Sequence, residues 1–162
     1  MTMIIAIAED EEILAKVLKE KFESEGLQVL IARNGQEALD ILKRTPAPSL
    51  MLLDLIMPVK DGFAVLEEMK HDPNLKTIPV IVLSNLGQDE DIKRALRLGA
   101  VDFFVKAQHP LNEVVEKVKQ FLAKDHPLEK KSTTKRKRKK EPEPLQEIGP
   151  RVVDLRKLKR GK

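Results

Sequence analysis

Asp10, Asp54, Ser84 and Lys106 each close or follow a short apolar run, and together they offer two carboxylates, a hydroxyl and an ammonium group. The runs are Met3 to Ala8, Leu50 to Leu53, Val80 to Leu83 and Val101 to Val105. In open α/β sheets the ligand site lies outside the carboxyl ends of the strands, so residues just past four such runs can converge at one sheet edge. The set suits phosphate chemistry. Phosphoryl transfer is mainly positioning plus charge stabilisation, and a carboxylate nucleophile needs a hard cation with oxygen ligands and a lysine on the far side of the phosphate. Glu9 supplies a third carboxylate. Clustered carboxylates repel unless a cation joins them. Mg²⁺ keeps several waters and needs only one or two carboxylates, which suits Asp10 and Asp54, with Glu9 bound directly or through water.

Each residue taken singly also has a plain reading. Glu9, Asp10, Glu11 and Glu12 suit the first turn of a helix, where negative charge complements the helix dipole. Asp54 suits a turn, Ser84 a helix N-cap, and Lys106 a surface position whose stem is buried while its head stays in water. The four occurring together at strand ends favours the shared pocket.

The elements that must position them follow from periodicity. Over the first 124 residues, apolar runs of four to six alternate with stretches of helical period, giving five strands and five helices. The first helix carries Ile13, Leu14, Val17, Leu18, Lys21 and Phe22 as its inward stripe and closes at Gly26. Asn34 is the expected N-cap of the second, which the Pro46-Ala47-Pro48 breaker ends. A loop with Pro58 and Asp61-Gly62 leads to the third, with Val65, Leu66 and Met69 inward. The fourth carries Ile92, Ala95, Leu96 and Leu98 and ends at Gly99, and Pro110 suits the first position of the fifth, which buries Val114, Val115, Val118, Phe121 and Leu122. Near-continuous apolar strands point to a sheet covered on both faces, and the βαβ rhythm implies an α/β fold with a doubly wound, five-stranded parallel sheet.

Composition sets bounds. The 162 residues suit one core plus an appendage. With no cysteine there are no disulfides or thiolate metal sites, and His71, His109 and His126 are scattered without ligand spacing. A reducing, cytoplasmic setting fits. The apolar start is too short for a membrane span and lacks the basic residues of a signal peptide. The net charge of +4 conceals an asymmetry: residues 1–126 carry sixteen basic against twenty-one acidic residues, and residues 127–162 carry fourteen against five. Residues 129–144, including the run Lys135 to Lys140, hold no apolar side chain, so 127–162 are expected to be a disordered basic linker and tail. The run 135–140 could contact phosphates of nucleic acid, or an acidic partner, without base stacking because no aromatic residue interleaves it.

Residues 3 to 124 resemble the receiver domain of two-component response regulators. The resemblance rests on Glu9-Asp10 after the first strand, Asp54 with Met57-Pro58 and Asp61-Gly62 after the third, Ser84 after the fourth, and Phe103 with Lys106 on the fifth. The separations of 44, 30 and 22 residues along Asp10, Asp54, Ser84 and Lys106 fit the family pattern. It implies a flavodoxin-like (βα)5 receiver over residues 1–126, in which Asp54 accepts a phosphoryl group from a histidine kinase or phosphotransfer protein. Glu9, Asp10, Asp54 and the carbonyl of Ile56 would hold Mg²⁺, Lys106 would contact the phosphate, and Ser84 with Phe103 would relay the change. The output would be a protein or nucleic-acid contact, or a phosphorylation-dependent dimer through the helix 4, strand 5, helix 5 face.

Two positions depart from the family. Ala107 follows Lys106 where a cis proline is usual, so this loop is either trans with Lys106 repositioned, or strained. Asn85 stands where a very small residue is preferred. Among rival functions, haloacid-dehalogenase-like phosphatases and phosphotransferases use an Asp-x-Asp pair, and the position two after Asp54 is Ile56. Gly-x-Gly-x-x-Gly is absent after every strand, which disfavours dinucleotide binding. A scaffold binding nucleic acid through its basic tail without phosphorylation is a further alternative. Nothing after residue 126 is long enough for a helix-turn-helix or cyclase domain, so a stand-alone switch rather than a turnover enzyme is expected.

Overall fold

The computed structural model describes residues 2–124. It contains β1 (Ile4–Ala8), α1 (Glu12–Glu23), β2 (Gln28–Ala32), α2 (Gly35–Leu42), β3 (Leu50–Leu53), α3 (Gly62–Lys70), β4 (Val80–Ser84), α4 (Asp89–Arg97), β5 (Asp102–Val105) and α5 (Leu111–Lys124). The strands form one parallel sheet in the order β2-β1-β3-β4-β5. The chain divides into two compact units, residues 1–119 and 120–162, and of the second only the end of α5 is described. The basic run 135–140 and the expected disordered tail lie outside the described residues. No helix among the described residues is long and apolar enough to cross a membrane.

Strand side chains alternate between two buried faces, as the near-continuous apolar runs require. Ala6, Ala8, Ala32, Met51, Leu53, Val80, Val82, Phe103 and Val105 pack with Leu39 and Leu42 of α2, Val65, Leu66 and Met69 of α3, and Ala95 of α4. Ile5, Ile7, Leu50, Leu52, Ile81, Leu83 and Phe104 are buried on the opposite face. There α1 buries Ala15, Leu18 and Phe22, and α5 buries Val114 and Val118.

Local signals place the boundaries. Asn34 caps α2 by accepting the Glu37 N–H at 2.9 Å, and Asp61 caps α3 through the Ala64 N–H at 2.9 Å. Gly26 and Gly99 adopt φ of 89° and 113° just past α1 and α4, a region cheap only for glycine.

Three expectations are corrected. Ile13 is 80% exposed, because Ala15, Leu18 and Phe22 already define the inward line of α1 and Ile13 falls on the outward side. Val101 precedes β5 and is half-exposed, its N–H donating to the Val80 carbonyl at the strand's entry. Pro110 precedes α5 and accepts from the N–H groups of Glu113 and Val114 rather than occupying the first helical position.

Candidate functional site

The sheet carries its acidic residues to one edge by register. Ala8 pairs with Leu53 across β1 and β3, so Glu9 and Asp54, the next residues, emerge side by side. The Asp54 N–H donates to the Ala8 carbonyl at 3.0 Å, and the Glu9 N–H to the Ala32 carbonyl at 2.9 Å, fixing both backbones at the strand ends. On the other side of β3, Ser84 pairs with Val105 and the Lys106 N–H donates to the Ser84 carbonyl at 2.8 Å.

Lys106 is the hub. Its Nζ lies 2.9 Å from Glu9 Oε1, 3.1 Å from Asp54 Oδ2 and 3.7 Å from Glu11 Oε1. Glu9 and Asp54 are 2% and 5% exposed, whereas Asp10 is exposed to solvent. Oxygen atoms of Glu9, Asp10 and Asp54 all lie within 4.8 Å of one another. Three carboxylates against one ammonium leave excess negative charge in a partly desolvated recess, which suits a hard cation with oxygen ligands. Burial pushes the Glu9 carboxyl up from its ordinary range, and the charge of Asp54 adds to this, together outweighing the hydrogen bonds from Lys106 and the Glu11 N–H. Burial by itself would lower Lys106, but its hydrogen bonds to Glu9 and Asp54 and their negative charges outweigh burial and hold its ammonium above the ordinary lysine value.

The loop after Asp54 is tied close. Asp54 Oδ1 accepts the Ile56 N–H at 3.2 Å, and the Gly62 N–H donates to the Leu55 carbonyl at 3.0 Å. Gly62 is required there, since a Cβ at that position would overlap the Asp54 carbonyl and sit 2.7 Å from the Leu55 Cα. Val59, 80% exposed, takes φ of 67°, with the Lys60 N–H donating to the Pro58 carbonyl across it.

Of the residues singled out from the sequence, Glu9, Asp10, Asp54 and Lys106 come together here, while Ser84 and Phe103 lie on the neighbouring strands β4 and β5. Ser84 is fully buried at the end of β4 and is not an N-cap; its Oγ accepts the Leu86 N–H at 3.4 Å, while Gln88 takes the N-cap position of α4. Phe103 and Phe104 are both buried, on opposite faces: Phe103 lies in the core beneath α4, and Phe104 meets the His109 ring edge-on at 5.1 Å. The only cis bond among the described residues is Thr45–Pro46, so Lys106–Ala107 is trans and Lys106 still reaches both carboxylates. Asn85 is exposed rather than buried over Asp54. Sequence reasoning gave Glu11 only a helix-dipole role and missed its approach to Lys106; nothing but adjacency to Glu9 and Asp10 signalled it.

Residues 5–119 match the family model described as the response regulator receiver domain. The chain belongs to this family, whose members are phospho-accepting switches of two-component signal transduction. It is 35% identical over 136 residues to the transcriptional regulatory protein CpxR of Klebsiella pneumoniae, aligning over 83% of this chain and 55% of that one, so it spans about half of that relative's length. Among solved structures, the signal receiver domain of a signal transduction histidine kinase from Syntrophus aciditrophicus superposes with a TM-score of 0.70 at 36% identity, covering 78% of this chain and 94% of that one. The Mn²⁺-bound form of response regulator Rcp1 gives a TM-score of 0.66 at 29% identity, covering 74% and 94%.

Proposed function

We propose that Asp54 is the phosphoacceptor. The observation that carries this reading is the Lys106 ammonium placed between Asp54 and Glu9 at the mouth of an otherwise acidic recess. An Asp54 carboxylate oxygen attacks the phosphorus of a phosphohistidine on a histidine kinase or phosphotransfer protein. The new P–O bond forms as the P–N bond breaks, and the departing imidazole takes up a proton. Lys106 then sits where it can neutralise the transferred phosphoryl oxygens. Glu9, Asp10, Asp54 and the Ile56 carbonyl are the groups that would hold Mg²⁺, which supplies charge neutralisation for those oxygens. The compact carboxylate group and the Mn²⁺ that Rcp1 carries support this assignment.

Ser84 offers a buried hydroxyl at the end of β4, the strand next to β3, and the pairing of Val82 with Phe103 and Ser84 with Val105 links that strand end to the aromatic packed beneath α4. Phosphate on Asp54 draws on Ser84, and Phe103 passes the change to α4 and the α4, β5, α5 face, where a partner or a second copy docks. In this reading residues 1–126 form the receiver of a cytoplasmic switch, not a turnover enzyme, since Ile56 stands where an Asp-x-Asp phosphatase needs its second carboxylate.

The test is mass spectrometry after treatment with acetyl phosphate. One added phosphate is expected with Mg²⁺, none in Asp54→Ala, and much less with EDTA or in Asp10→Asn. A phosphate persisting in Asp54→Ala would move the acceptor elsewhere.

A further inference from the structure

The sheet has two edges, β2 and β5. Proteins normally blunt such edges with charged residues, proline or bulges, because an unpaired row of N–H and C=O groups templates another strand. β5 opens on the charged Asp102, but β2, reading Gln28-Val29-Leu30-Ile31-Ala32, has neither charge nor proline. Its inner hydrogen bonds set the parity. The Gln28 N–H donates to the Met3 carbonyl and the Ala32 carbonyl accepts from Glu9, so these residues and Leu30 turn toward β1. Val29 and Ile31 therefore turn their N–H and C=O groups to the open edge, Ile31 half-buried there and Val29 only 5% exposed.

Beside this edge lies a groove of about 660 Å³ between α1 and β2. Ile13, Ala15 and Ile31 give it an apolar floor, which accounts for the 80% exposure of Ile13 on an otherwise amphipathic helix. Lys16, Lys19 and Arg33 line it against a single acid, Glu12. Arg33 pairs with Glu12 at 3.1 Å and Lys19 with Glu23 at 2.8 Å, solvent-exposed pairs of the kind that contribute little and exchange readily. Lys16 has no ion pair among the described residues. This strip is basic on a body, residues 1–126, whose acidic residues outnumber its basic ones by five.

We propose that the β2 edge and this groove form a docking site for an extended, acidic segment of a partner protein. The segment would add to the sheet as a sixth strand, hydrogen-bonding Val29 and Ile31, with every second residue a carboxylate turned to the α1 face over Lys16, Lys19 and Arg33 and the residues between turned to the other face. A second copy of this chain fits less well, because edge-to-edge pairing sets two basic rims against each other. The site does not depend on which residue accepts phosphate.

The test uses the ¹⁵N-labelled full chain and three synthetic eight-residue peptides: alternating Val-Glu, the same Val-Glu peptide N-methylated at every residue, and alternating Val-Lys. The Val-Glu peptide should shift the Val29 and Ile31 amides and slow their exchange with solvent at least tenfold. The N-methylated peptide has the same charge but cannot supply the ladder N–H groups, and it should leave those exchange rates unchanged. Lys16→Glu with Lys19→Glu should weaken Val-Glu binding at least tenfold and admit Val-Lys. Equal responses to both acidic peptides would reduce the site to diffuse charge attraction, and no response at β2 would remove it. Concentration-dependent protection of Val29 and Ile31 without peptide would assign the edge to a second copy. The comparison among peptides holds on the unaltered chain whether or not the double variant folds.

Discussion

At the residue scale the recess is defined by one cation shared among carboxylates, and its neighbours decide how long a phosphoryl group would survive there. Hydrolysis of an aspartyl phosphate needs a water held in line with phosphorus. Side chains two positions beyond Asp54 and two beyond Ser84, Ile56 and Leu86, can neither donate to nor accept from such a water. Leu86 leans against the core, but Ile56 is 53% exposed at the rim and is free to be exchanged for a polar residue. A long-lived phosphorylated state is expected, and Ile56→Asn should shorten its half-life about tenfold, a modest share of what positioned water catalysis supplies. Decay with Mg²⁺ present, followed by mass spectrometry, measures this; an unchanged half-life would show that the rim side chain does not set the rate.

Glu9 gives a second residue-scale prediction, for the metal-free protein in EDTA. Its carboxyl is held above the ordinary value of 4.5 chiefly by burial. A group whose folded pKa is raised contributes stability that is present below its unfolded pKa and lost as pH rises through the folded one. Urea unfolding midpoints should therefore fall between about pH 4.5 and the raised folded value, and Glu9→Gln should flatten that part of the profile. A profile unchanged in Glu9→Gln would place the titration elsewhere.

At the scale of elements, most of the fold was legible because the apolar runs are short, buried on both faces and separated by helices whose caps follow simple rules. Asn34, Asp61, Gly26 and Gly99 sit where their side chains or lack of one predict. The approach of Asp10, Asp54 and Lys106 was legible because strand ends in a parallel sheet share an edge, with Ser84 closing the adjacent strand β4. Ile13 was misread because a helix with Leu14, Val17, Leu18 and Phe22 can be rotated either way on paper, and only packing of Ala15 selects the face. The loop between β3 and α3 was not legible beyond its Pro and Asp-Gly. Its left-handed Val59 violates the preference of β-branched residues, and no rule of composition announces that. Because Val59 is 80% exposed, releasing its strain costs no burial. Val59→Asn should stabilise the fold by about 0.5–1 kcal/mol. Gly62→Ala, which pushes a methyl into the backbone at Asp54 and Leu55, should destabilise it by about 1–3 kcal/mol. Urea denaturation of both variants measures these, and opposite signs are the expected outcome.

At the scale of the whole molecule the governing fact is charge separation along the chain. Residues 1–126 repel polyanions on balance, whereas residues 127–162 carry nine more basic than acidic residues, six of the basic ones consecutive from Lys135 to Lys140. If that run contacts nucleic-acid phosphates, each neutralised phosphate releases counterions and steepens the salt dependence. Six contacts on duplex DNA give a slope of log Kobs against log salt of about −5. Binding should be indifferent to base sequence, because the run offers no aromatic residue to stack and its lysines act as point charges. Fluorescence anisotropy with a labelled 20-base-pair duplex, from low salt to physiological salt, measures the slope for the full chain and for residues 1–126. The full chain should show the steep slope and the shorter chain no retention. Binding by residues 1–126 alone, or a slope near zero, would show that the basic run is not the contact and that the alternative of a nucleic-acid scaffold fails with it.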